Sequence, residues 1–138
     1  MKLEECYKDF NFLNSLPGKK ILLKGNHDYW WSTASKAKSF FAANGIGSID
    51  ILHNNFFPYG DYAICGTRGW FYDAEKSADM KVLLREASRL ERSIEEGEKL
   101  GGEIIAFLHY PPVMQMGRCE EMFSVLEKHG IKRCYYGH

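Results

Sequence analysis

The sequence has no excess of either charge, no long apolar run and no closely paired cysteines. Lysine plus arginine and aspartate plus glutamate stand at 18 each, so the formal net charge is zero. That balance supplies no global attraction for nucleic acid or an anionic membrane, although a local basic patch is compatible with it. No apolar stretch approaches the ~20 residues that span a bilayer. The opening MKLEECYKDF is acidic and amphipathic, unlike the apolar centre of a signal peptide. The four cysteines, Cys6, Cys65, Cys119 and Cys134, never fall at two-residue spacing, which argues against a zinc ribbon or a thioredoxin-like motif. Without an export signal they are expected to be reduced thiols in a cytoplasmic protein. Cys65 and Cys134, inside apolar runs, read as small core residues. Repeats, low-complexity tracts and Pro/Ser-rich linkers are also missing.

What is present suits one domain with a hydrophobic core. The chain has 138 residues, of which 45% are hydrophobic and 14% aromatic. Leu3, Tyr7, Phe10 and Leu13 recur at helical spacing, and Pro17-Gly18 stops that helix. Residues 20–24 read as a short buried strand. A helix is expected over 32–44, with Ser32 or Thr33 as N-cap and Gly45 as terminator. Strands follow at 49–52 and 62–65, the latter entered through a turn at Tyr59-Gly60-Asp61. The longest helix is expected over 75–100, with Met80, Leu83, Leu84, Ala87, Leu90, Ile94 and Leu100 as its apolar stripe. A strand at 103–108, a helix at 119–129 and a strand at 131–136 complete the chain. Alternating helices and strands in the second half predict an α/β layered fold, with a mixed sheet or two sheets.

Three of these strands end on metal-competent side chains. KILLKG runs into Asn26-His27-Asp28, EIIAFL into His109, and KRCYYG into His138. Ligand sites of open α/β sheets form beyond the carboxyl ends of strands. Side by side, the three ends would gather one amide oxygen and two imidazoles. That mixed oxygen and nitrogen set suits Mn, Fe, Zn, Ni or Co rather than Ca or a structural zinc. In extended backbone His27 would point away from Asn26. Asp28 is expected to hold one ring nitrogen of His27, raising its pKa and making it a plausible acid for a leaving alkoxide. The bland alternative for the triplet is an Asx-type turn, for His109 a loop residue, and for His138 a frayed terminus.

Gly25-Asn26-His27-Asp28, a lone His109 after an apolar strand and the ending Gly137-His138 resemble the calcineurin-like metallophosphoesterase superfamily. GNHDYWW and GTRGW, at 25–31 and 66–70, look closest to its bacterial cytosolic members. The resemblance implies a layered α/β/β/α sandwich. It also implies hydrolysis of phosphoester bonds by a hydroxide activated between two divalent transition metals. Carried over, Asn26, His109 and His138 are ligands of the second metal, and His27 and Asp28 are catalytic. The family's Asp-x-His and Gly-Asp-x-x-Asp blocks, which hold the first metal and the bridging Asp, have no counterpart before Asn26. The chain also stops before the second His of the family's ending. The expectation is therefore a partial domain over 1–138, lacking N-terminal strands and the C-terminal end, with at most one partial metal site and little activity alone.

Arg68 is a candidate phosphate or substrate contact. His53 and His129 read as structural, the latter as a cation in the last turn of a helix. Tyr29-Trp30-Trp31 read as packing aromatics. Arg85, Glu86, Arg89, Glu91 and Arg92 read as a solvated helix face. The expected substrate is a phosphoester, small or on a protein; a membrane partner is not expected, and nucleic acid is disfavoured by the charge. Two other readings stay open: a non-catalytic binding domain with a half metal site, and a nuclease of the same superfamily.

Overall fold

The computed structural model describes residues 2–70, 77–115 and 117–138. A 3-10 turn at Leu3–Cys6 leads into α1, Tyr7–Ser15, and then β1, Lys20–Leu22. Helix α2, Ala34–Ala43, begins where the Thr33 hydroxyl accepts from the Lys36 amide at 3.1 Å, a cap that satisfies one orphan donor of the first turn. β2, Ile49–Ile51, is followed by the hairpin β3, Phe56–Tyr59, and β4, Tyr62–Thr67. Gly60 takes a φ of 57° in that turn, a conformation that costs glycine little. Helix α3, Ser77–Glu98, β5, Glu103–Leu108, and a two-rung hairpin of β6, Val113–Met114, and β7, Gly117–Arg118, come next. Helix α4, Glu120–Lys128, and β8, Arg133–Tyr136, end the chain.

The strands form separate sheets. β1 pairs in parallel with β2. A mixed four-stranded sheet has the order β3-β4-β5-β8, antiparallel at β3/β4 and parallel across β4, β5 and β8. This is a mixed α/β fold; the larger sheet is mixed, as expected, and two further two-stranded sheets, β1/β2 and β6/β7, stand apart from it.

Period-two alternation decides where each strand residue goes. Ala63 and Cys65 of β4, with Ile104, Ala106 and Leu108 of β5, face Leu83, Leu90 and Ile94 of α3 and Met122 and Leu126 of α4. Each large side chain buried there contributes roughly 1.5–3 kcal/mol. Gly97 lets α3 approach this sheet, because a Cβ at that position would lie 2.5 Å from Cys65 Sγ. Ile64 and Phe107, on the opposite face, share a cavity of about 470 Å³ with Ile21, Leu23 and Tyr135. A second core joins Phe10 of α1, Ala37 and Phe41 of α2, and Ile49 and Ile51 of β2.

Several expectations need correction. Leu84 lies 54% exposed, so the α3 stripe is narrower than its apolar residues suggest, and Leu100, 46% exposed, lies past the end of the helix at Glu98. Tyr29 is exposed, whereas Trp30 packs edge-on to Phe10 and both tryptophans support the second core. The β6/β7 hairpin was not expected, since two-residue strands carry no periodic signal. Glu75, the expected start of the long helix, lies outside the described residues. Cys65, Cys119 and Cys134 are free; Cys6, Cys65 and Cys119 are buried and Cys134 is half-buried. Burial pushes the Cys65 and Cys134 thiols up to about 11, which keeps them protonated and unreactive. Among the described residues no helix is long and apolar enough to cross a membrane.

Candidate metal centre

The three expected donors meet. His109 Nε2 lies 2.7 Å from Asn26 Oδ1 and 3.2 Å from His138 Nδ1. The rings of His109 and His138 stand 5.0 Å apart at 74°, and Tyr110 packs against both.

The strand ends explain the convergence, though not as three neighbours in one sheet. β5 and β8 are adjacent and parallel, and their pairing runs on past the last rung. The Gly137 amide donates to the Leu108 carbonyl at 3.2 Å and the His138 amide to the His109 carbonyl at 2.9 Å. His138 is thus pinned by its backbone rather than frayed. β1 belongs to the other sheet, so Asn26 reaches the cluster across the gap between the sheets. Gly25 makes that approach possible. A Cβ at that position would lie 3.1 Å from His109 Cε1 and 3.3 Å from Asp28 Oδ2.

Asp28 does not hold His27. Its Oδ2 accepts from the Gly25 amide and its Oδ1 accepts from Trp30 Nε1 at 3.1 Å. The carboxylate therefore closes the loop on itself and ties it to the second core. The exposed His27 ring instead meets the Tyr29 hydroxyl through Nδ1 at 2.9 Å. The loop turns at 26–29, where the Tyr29 amide donates to the His27 carbonyl. Adjacency in sequence therefore does not become contact between the two side chains.

The donor set fits one divalent cation. Two donors each about 2.1 Å from a metal sit about 3–3.5 Å apart, close to the spacing seen here. The protons argue the same way. If His109 Nε2 is bare, two acceptor atoms, that nitrogen and Asn26 Oδ1, face each other; if it is protonated, one hydrogen serves two acceptors. Burial, and then the neighbouring His138, hold the His109 pKa below its ordinary value, which favours the neutral, ligating imidazole. Among the described residues no carboxylate joins these three donors, since both Asp28 oxygens are already engaged.

Arg68 stands beside the cluster. Its carbonyl accepts from the His109 and Tyr110 amides at 3.0 and 2.9 Å. Its guanidinium lies over the Trp70 ring at 4.6 Å and reaches Glu86 Oε1 at 3.3 Å. Glu86 is the residue that sequence reasoning misplaced. It is 1% exposed rather than part of a solvated face. It accepts from the Thr67 hydroxyl at 2.6 Å and pairs with Arg89 at 2.9 Å. Nothing in the helical pattern separates it from Arg85 and Arg89; only the packing of α3 on β4 does.

A second group of possible ligands, Glu91, Glu95 and His129, has ligand atoms within 4.8 Å of one another. Two of its carboxylate partners are already paired, while the exposed Glu95 makes no ion pair among the described residues. His129 Nε2 meets Glu91 at 3.0 Å, its Nδ1 meets Glu98, and Lys128 also pairs with Glu91. Burial pulls the His129 pKa down, but the two carboxylates outweigh it and the net shift is upward. His129 is the C-cap of α4, as its structural reading requires, and it clamps α4 to α3.

No family model matches the chain, and no curated protein matches it. A solved crystal structure aligns with it at a TM-score of 0.60 and 16% identity, over 98% of this chain and 56% of the other. At that identity the likeness concerns the fold alone, and this chain spans about half the length of its structural counterpart.

Proposed function

We propose that the chain carries part of the active site of a metal-dependent phosphoester hydrolase, a phosphatase or phosphodiesterase of the calcineurin-like kind. One observation carries the reading: Asn26 Oδ1 and His138 Nδ1 converge on His109 Nε2 at 2.7 and 3.2 Å, from positions 83 and 29 residues away in the chain. The mixed α/β fold, with helices on each of two sheets, supports the α/β/β/α sandwich that goes with it. The free thiols of Cys65, Cys119 and Cys134 support a cytoplasmic location.

A divalent transition metal held by these donors would supply Lewis acidity toward a phosphoryl oxygen. The chain's own groups do the rest. The oxygen of the Asn26 amide faces the imidazoles, so its NH2 end can donate to a phosphoryl oxygen. His27 is exposed and held by the Tyr29 hydroxyl, which positions it to protonate a leaving oxygen. Tyr29, not Asp28, is its orienter. Asp28 acts on the loop, fixing Gly25 and Trp30 and hence the reach of Asn26. The first metal of such a hydrolase finds no further donors at this cluster among the described residues, so turnover by these 138 residues alone should be very low.

Titration of the chain with Mn or Zn should show about one saturable equivalent, lost in Asn26→Ala. An aryl phosphoester with added Mn should be turned over barely above background. Absence of metal binding would remove the reading. Turnover near that of an intact hydrolase would leave the metal centre but overturn its description as half a site.

A further inference from the structure

Lys24, Arg68, Arg85 and Arg89 line one cavity of about 350 Å³, together with His53 and Glu86. Four cations face a single carboxylate, in a chain whose formal net charge is zero. The single negative charge of Glu86, shared between Arg68 and Arg89, offsets only one of the four. Its oxygens are taken by Thr67, Arg68 and Arg89 inside the protein. Among the described residues Lys24 and Arg85 make no ion pair, and the buried Nε of Arg68 has no hydrogen-bond partner. His53 does not add a negative group. Burial and the nearby Arg89 keep its pKa below the ordinary value, so it is neutral and able to accept or donate a hydrogen bond. Thr33 and Ala34, at the start of α2, line the same cavity and turn the positive end of a helix dipole toward it.

We propose that this pocket is a phosphate-binding subsite next to the metal centre, and that the substrate carries a second phosphate group which it holds. The excess of three positive charges matches a phosphate monoester better than a carboxylate, because the former bears about −1.5 to −2 at pH 7 and three acceptor oxygens. Several guanidinium forks suit that geometry. The two sites share Arg68, whose carbonyl fixes the His109 backbone while its side chain lines the pocket. Lys24 stands two residues before Asn26. The substrate class rests on the hydrolase reading, whereas anion binding by the pocket does not.

The two can therefore fail separately. The metal-free chain is titrated with inorganic phosphate and with pyrophosphate by calorimetry, at fixed ionic strength. Saturable binding is expected. It should weaken at least about tenfold in Arg85→Ala and again in the Lys24→Ala/Arg85→Ala pair, the scale of one lost charge-assisted hydrogen bond. Arg85 is exposed, so its removal should leave the circular dichroism spectrum unchanged. Asn26→Ala, which removes a metal donor, should leave phosphate binding intact. Non-saturable binding, or binding equal in the wild type and the double variant, would overturn the subsite whatever the metal result. Phosphate binding lost in Asn26→Ala would show that the anion sits at the metal centre instead.

Discussion

Two histidine clusters in this molecule are built from similar residues and have opposite physics. His129 lies between Glu91 and Glu98, with Lys128 on the Glu91 carboxylate, so its ring nitrogens face acceptor oxygens to which a protonated ring donates. His109 lies between an amide oxygen and a second imidazole, with no carboxylate hydrogen-bonded to it among the described residues; Asp28 stands nearby but is bonded to Gly25 and Trp30. The environment raises the pKa of the first and lowers that of the second. The difference teaches that a metal-competent set of letters is not a metal site. What distinguishes one is a local surplus of acceptors over protons, which a cation can relieve. In the clamp Lys128 and His129 already serve Glu91 and Glu98, and only the exposed Glu95 stands outside these pairs.

The largest effect should come from removing one histidine from each cluster. His109→Ala should weaken Mn or Zn binding by more than about 100-fold, since even losing a group behind a ligand costs 10–100-fold. His129→Ala should leave metal affinity unchanged. Equal losses measured by competition with a coloured chelator would erase the distinction.

A smaller effect should follow from crowding the metal centre without touching its ligands. Gly25→Ala places a methyl 3.1 Å from His109 Cε1. Either the imidazole or the Asn26 loop must yield by a few tenths of an ångström. Metal affinity should fall roughly tenfold, with the melting temperature little changed. An unchanged affinity would mean that the loop adjusts freely and that Asn26 is not held in register by Gly25.

The smallest effect concerns the clamp itself. The folded-state pKa of His129 is raised, so its contribution to stability is complete below its unfolded pKa, about 6.5. It fades as pH rises through the higher folded value. His129→Ala should therefore destabilise the protein by up to about 1 kcal/mol near pH 5.5 and by less at pH 8.5, as expected for partly exposed ion pairs. Denaturant melts at the two pH values measure this directly. A larger loss at the higher pH would reverse the assigned sign.

The parts of the candidate site that were legible in the sequence share one trait. Asn26, His109 and His138 each follow an apolar strand, and a strand's end is fixed by its own pattern. Helix α3 was legible for the same reason, through the spacing of Leu83, Leu90 and Ile94. Illegible features depended on a partner from elsewhere. Glu86 stands among arginines on a helix and looks solvated until Thr67 and Arg68 come across from β4. Asp28 stands next to His27, yet the loop bends it toward Gly25 and Trp30. His53 gave no sign of sharing a cavity with residues of α3. The β6/β7 hairpin is too short for any periodicity to announce it.

The order of strands and helices, the apolar faces they bury and the three donors at strand ends were set by the chain's own pattern, because alternation and helical spacing are local properties of a backbone. Which donors come together, which carboxylate is buried and which cations make no ion pair among the described residues were decided by tertiary packing alone. Those outcomes depend on distances between segments, and charge and hydrogen-bond balance exist only once the segments have met.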